Sequence, residues 1–200
     1  ISDYGSFERT AHLDYIVLPG GDAGTRKPAR VALAHLLKAG IPLDDDWAPL
    51  SALSGTEQGL IKRQIDTGFN SPPTSSMGRL FDAVSSLTGI RQEVNYEGQA
   101  AIELEAIADP TESGSYHFGI QSEEISPYII DTAPLIQSVA RDIRSGVHPA
   151  VISARFHNSV ANMIYEVCLQ LRIERGLNLV ALSGGEFQNV TLIRRTLKLL

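Results

Sequence analysis

The sequence predicts an α/β protein, and three observations carry that prediction. Apolar residues at helical spacing recur through the first half of the chain. In the second half, short apolar or β-branched runs alternate with helical patterns. Finally, the run from Leu177 to Leu182 stops on Ser183, Gly184 and Gly185 and turns directly into a further helical pattern.

Taken in order, Tyr15 to Leu18 reads as a short strand that halts at "PGGDAG". From Arg26 to Lys38, Val31, Ala34 and Leu37 fall on one helix face with Leu33 and Leu36 beside it, and Gly40 supplies the stop. Asp44 to Asp46 form an acidic run. It reads as a loop leading into a helix near Trp47 rather than a metal site, because three consecutive side chains do not converge easily on one ion. Glu57 to Asp66 is helical, and a Pro-rich loop then enters a helix with Leu80, Phe81, Val84 and Leu87 on one face. A helix over Gln99 to Ala108 follows "YEGQ". Strands are expected at Tyr116 to Gln121 and Tyr128 to Asp131, then a helix closing on Gly146. The series Phe156, Val160, Met163, Ile164, Val167, Cys168 and Leu171 predicts one long amphipathic helix ending near Gly176. Leu177 to Leu182, apolar except for Asn178, reads as a strand buried on both faces.

Composition narrows the function. The 200 residues are 43% hydrophobic and 20% charged, enough for a sizeable core. A formal net charge of -6 argues against a general nucleic-acid or anionic-membrane surface, which needs a basic field. The single cysteine, Cys168, excludes an internal disulfide and sits among Val167, Leu169 and Leu171 as a small apolar residue. No apolar run has the length of a membrane span, so a cytoplasmic location is expected. The first residue is Ile1 and the last helical pattern stops at Leu200 without a breaking residue, which reads as a piece of something longer.

Chemistry concentrates at glycines. Where a strand meets a helix at Ser183, Gly184 and Gly185, free backbone N–H groups and the helix dipole favour a phosphate, and the missing side chains let a base or ribose approach the main chain. Asn189, one turn on, offers both a donor and an acceptor. A plain tight turn is the bland alternative; neither a Walker loop nor a complete dinucleotide fingerprint is present. The loop "LPGGDAGTRKPAR" brings Asp22, Arg26, Lys27 and Arg30 to one helix start, either as an anion site or as a turn beside a solvated basic helix. Ser183 with His157 lacks the G-x-S-x-G elbow of a nucleophilic triad, and the five histidines include no i, i+4 pair for a metal.

Three segments, "GGDAGTRKPARVAL", "TSSMGRLFDAVSSLTGIRQEVNYEGQAAIELEAIA" and "FHNSVANMIYEV" with "VALSGGEFQN", resemble the C-terminal part of the NiFe-hydrogenase maturation carbamoyltransferases, the HypF family. That domain is similar to the tRNA threonylcarbamoyltransferases. The resemblance implies the second half of an actin-like ATPase domain (sugar kinase, heat-shock and actin type, ribonuclease-H-like) with a mainly helical insertion. Residues 1–114 would then be a strand plus the insertion, and 115–200 the second lobe. It further implies a nucleoside held by Asp82 of "GRLFD", Gly98 of "YEGQ", and Ser183, Gly184, Gly185 and Asn189 of "SGGEFQN". No catalytic residue is assigned.

The same resemblance implies the reaction. A separate domain would make carbamoyl-adenylate from carbamoyl phosphate and ATP, and this one would pass the carbamoyl group to the C-terminal Cys of a HypE-like maturation protein. A divalent metal would be held by ligands outside this chain, leaving the chain inactive alone. Two departures stand out: Glu186 replaces an apolar residue, and Ala29 stands near a usual aromatic. Other readings are an O-carbamoyltransferase acting on a small-molecule hydroxyl, a sugar or acetate kinase, and a non-catalytic nucleotide-binding module.

Overall fold

Helix α5, Met77–Leu87, shows why the protein folds around its first half: Leu80, Phe81, Ala83, Val84 and Leu87 are all buried. It is laid in a computed structural model that describes residues 1–43, 47–121 and 127–200; the acidic run Asp44 to Asp46 lies outside the described residues. The preceding elements are strands β1, Ala11–Leu13, and β2, Ile16–Val17, and helices α1, Asp22–Arg26, α2, Pro28–Lys38, α3, Ala48–Ser51, and α4, Gly55–Thr67, with β3, Pro73–Thr74, leading into α5. Then come α6, Gln99–Ala106, strands β4, Gly119–Gln121, and β5, Tyr128–Asp131, helices α7, Ala133–Arg144, and α8, Pro149–Arg175, a 3-10 turn at Gly185–Gln188, and α9, Val190–Leu199.

Local chemistry sets most boundaries. The predicted helix from Arg26 breaks into α1 and α2 at Lys27 (φ -120°, ψ 87°), because a residue before proline is pushed out of the helical region. Helix α4 opens on a capping box between Ser54 and Glu57 and stops at Gly68, whose φ of 70° needs no Cβ relief. Val31, Leu33 and Leu36 of α2 are buried in the same core as α5, and Phe156 of α8 meets Phe81 edge-on at 4.7 Å.

The sheet is small. β5 lies between β1, to which it is parallel with Ala11 opposite Tyr128, and β4, to which it is antiparallel with Gly119 opposite Asp131. β2 and β3 pair separately, antiparallel, with Ile16 opposite Thr74.

The C-terminal part departs from expectation. Helix α8 is continuous over 27 residues, but its apolar face is fully buried only through Met163; Ile164 and Val167 are partly buried against the core, and Leu169 and Ile173 are exposed. Residues 177–182 form no strand, and Leu179 is 92% exposed. The predicted doubly buried strand is therefore wrong for this structure. An apolar run becomes a strand only when neighbouring strands take up its N–H and C=O groups, and no described strand lies beside it. No helix among the described residues is long and apolar enough to cross a membrane.

Candidate functional site

The inward anchoring of Leu80 and Phe81 fixes which way the rest of α5 faces. Arg79 and Asp82, three residues apart, stand on one side of the helix, and Arg79 Nη1 lies 2.6 Å from Asp82 Oδ2. The contact is an ion pair without hydrogen-bond alignment, so buried Oδ2 keeps no hydrogen-bond partner. Arg79 also donates to the carbonyl of Thr25 at 3.2 Å. Only 3% of Asp82 is exposed, and burial pushes its carboxyl up to about 6, with Arg79 opposing and the nearby Glu186 adding to the shift.

This pair opens into a cavity of about 660 Å³ lined also by Thr25, Arg26, Asn95 and Gly98. The volume suits a small-molecule ligand. Its far wall is fixed: Val94 N–H donates to the Arg26 carbonyl, Asn95 N–H to Gln99 Oε1, and Arg91 holds Glu103 through two bonds of 2.6 and 2.7 Å. Gly98 turns the chain into α6 at φ 79°. Asp82 and Gly98 thus face one space.

Ser183, Gly184 and Gly185 do not line that space. They form an exposed turn in which Gly184 sits at φ 98°, ψ 166°, and a Cβ on Gly184 or Gly185 would meet nothing within 4 Å. Half-buried Glu186 links the turn to α5, because its Oε1 would lie 2.8 Å from a Cβ built on Gly78. A carboxylate at the start of a helix is favoured by the helix dipole, and α5 has no side-chain cap of its own.

Asn189 is buried, and its amide is committed within the protein. Oδ1 accepts the Leu192 N–H at 2.7 Å to cap α9, and Nδ2 donates to His157 Nε2 at 2.9 Å. His157 Nδ1 lies 2.7 Å from the Ser153 carbonyl, so that nitrogen carries the proton. Burial holds the imidazole neutral, down at about 4. With both nitrogens engaged, His157 is no base for Ser183.

The basic residues at the first glycine loop separate. Lys27 pairs with Glu57 at 2.8 Å, and buried Arg30 donates to the Pro19 carbonyl and Gln64 Oε1. Arg26 alone of the three faces the cavity. Half-buried Cys168 has its thiol pushed up by burial, away from thiolate character.

A family model described as "Carbamoyltransferase, Kae1-like Domain, second subdomain" matches residues 1–200. The chain belongs to the HypF carbamoyltransferase family. It is 33% identical to the carbamoyltransferase HypF of Synechocystis sp., over 96% of this chain and 26% of that protein. It is 36% identical to the HypF of Rhodobacter capsulatus, over 98% and 25%. Its fold is similar to that of a full-length HypF solved in a phosphate- and nucleotide-bound form, with a TM-score of 0.87 and 39% identity over 98% of this chain and 30% of that one. For the HypF of T. kodakarensis the TM-score is 0.77 at 28% identity, over 96% and 26%. The chain spans about a quarter of the length of the curated HypF relatives it matches.

In this HypF chain one residue at the site lies outside the motif reading: Arg79, whose signal is an arginine three residues before an aspartate on one helix. Glu186 stands out in the sequence as a charge where the family has an apolar residue, but its contact with α5 depends on how the turn at Gly184 folds back.

Proposed function

We propose that this chain forms the nucleoside-holding part of a HypF carbamoyltransferase that takes the carbamoyl group of carbamoyl-adenylate to the C-terminal Cys thiolate of a HypE-like maturation protein. The observation that carries the reading is that Asp82 of α5 and Gly98 at the start of α6 share one cavity of about 660 Å³ in a chain of this family. The solved relative with bound phosphate and nucleotide supports it.

The residues fit a nucleoside. A carboxylate can accept hydrogen bonds from vicinal ribose hydroxyls, and Arg79 holds this one in place through Oδ2. Gly98 turns tightly into α6 at the cavity wall. The open space at Gly184 and Gly185 leaves the backbone accessible to a ligand. Asn189 serves that turn from beneath, tying it to His157 and α9. In the transfer, the partner's thiolate attacks the carbamoyl carbon, a carbon–sulfur bond forms, and AMP leaves with the bridging oxygen as the bond between that oxygen and the carbamoyl carbon breaks. Among the described residues no three His, Cys, Asp or Glu side chains group to hold a metal, so no step is assigned to one here.

We also read the fold as the second half of an actin-like ATPase domain, divided near residue 114, working in the cytoplasm with ATP and carbamoyl phosphate supplied elsewhere in the longer polypeptide. The test uses the intact polypeptide, carbamoyl phosphate, ATP and a HypE-like partner, with mass spectrometry of the partner's C-terminal peptide. One added carbamoyl group, lost in Asp82→Ala while adenylate formation persists, supports the assignment. Transfer that survives Asp82→Ala overturns it, and carbamoylation of a small alcohol in place of the thiol moves the O-carbamoyltransferase reading forward.

A further inference from the structure

The Asp82 end of the cavity has an electrostatic composition that the nucleoside reading does not require. Arg79, next to the start of a helix, would by itself attract an oxyanion. Two carboxylates occupy its surroundings. Asp82 touches it at 2.6 Å, and Glu186 reaches over the first turn of α5 through the space that Gly78 leaves open. The charged and titratable groups lining this cavity are Arg79 and Asp82 from α5, Arg26 from α1, and Tyr96 and Glu97 from the loop before α6; Glu186 of the 3-10 turn stands behind them at Gly78, close enough to act on both Asp82 and Arg79. Two carboxylates and two cations therefore line the cavity, and Glu186 adds a third negative charge beside them. Glu186 is buried enough that its own carboxyl is pushed above the usual range, while Arg79 opposes that shift.

We propose that Glu186 is a specificity-determining residue: by placing a further negative charge at Gly78, beside the Arg79–Asp82 pair, it reserves this end of the cavity for an uncharged, hydroxyl-bearing part of the ligand and excludes phosphate oxygens from it. The inference rests on the nucleoside reading of the site, in which ribose hydroxyls meet Asp82, and adds to it the residue that keeps phosphate away from that end. Gly78 is the matching half of the device, since a side chain there would collide with Glu186 Oε1 and move the charge.

The test measures adenosine, AMP and ATP binding by calorimetry, without added divalent cation, to the intact HypF polypeptide and its Glu186→Gln, Glu186→Ala and Gly78→Ala variants. Removing one negative charge several ångströms from a polyphosphate is expected to tighten ATP by about tenfold while adenosine changes by less than about twofold. Gly78→Ala, which displaces the carboxylate without removing it, is expected to shift ATP in the same direction by a smaller factor. An ATP-to-adenosine affinity ratio unchanged in both Glu186 variants overturns the inference. If in that case Asp82→Asn still weakens adenosine, the nucleoside site stands and only the role of Glu186 falls; if Asp82→Asn leaves adenosine binding intact, the site reading falls as well.

Discussion

Replacing Asp82 by Asn should make the protein more stable at neutral pH relative to acid. Burial raises the folded-state carboxyl from 3.8 to about 6, so the native state holds a proton more tightly than the unfolded chain does. Between those values the native protein binds more protons, and stability falls as pH rises through the window. The penalty is fully present above about pH 6 and absent below the unfolded value. A shift of this size corresponds to about 3 kcal/mol, of which about 2 to 3 kcal/mol develops between pH 4 and pH 7. Asn cannot ionise, so the stability of the variant minus that of the wild type should climb by that amount over the same range. Taking the difference cancels every other titrating group common to both proteins. The assay is urea unfolding followed by circular dichroism at several pH values, with the wild-type and variant chains side by side. A flat or falling difference would mean that the Arg79 contact, not burial, governs Asp82, and that the carboxylate is stably charged in the free protein. Such a group, costly to the fold and placed in a cavity, is the kind retained for binding.

Other outcomes follow from the same contacts. His157 titrates in the opposite sense: its folded value near 4 lies below the unfolded 6.5, so its neutral burial loses stability as pH falls through that window, and His157→Gln should remove about 3 kcal/mol of the acid-side slope. Asn189→Ala deletes the α9 cap and leaves the buried His157 Nε2 without a donor, which should cost about 2 to 4 kcal/mol in denaturant unfolding. Phe81→Ala should cost about 3 to 5 kcal/mol through the cavity left between α5 and Phe156. Gly184→Ala places a Cβ on a backbone at φ 98°, a cost of about 1 to 3 kcal/mol, and calorimetry should show weaker nucleotide binding although the added methyl meets no neighbour.

What could be read in advance follows from the range of the interactions involved. The helices built on the Leu80–Phe81–Val84 and Phe156–Val160–Met163 spacings form because the apolar stripe and the core it faces are both present. The strand expected at residues 177–182 fails because its signal was composition alone, and a strand needs partners that a local pattern does not contain. At the site, Asp82 and Gly98 could be named only through the family resemblance of "GRLFD" and "YEGQ", and the structure sets one on α5 and the other at the start of α6. The charge balance could not. Glu186 shows in the sequence as an unusual charge, but its crossing to Gly78, and Arg26 rather than Arg30 facing the cavity, are consequences of tertiary packing. Asn189 could be picked out as a polar residue at a helix start, but the direction of its amide depends on a buried histidine thirty-two positions earlier.

The parallel pairing of β1 with β5 also constrains the order of events when the chain folds. Every helix from α1 to α6 lies between the two strands. Bringing their ends together from an open chain would cost on the order of 4 kcal/mol in closure entropy, so the pairing becomes accessible once α2 and α5 have collapsed the intervening segment. On the ribosome, β1 emerges long before its partner and waits with an unpaired edge, the condition under which strands associate between molecules. Synthesis speed and chaperone supply, rather than the final contacts, would then set the yield of native protein.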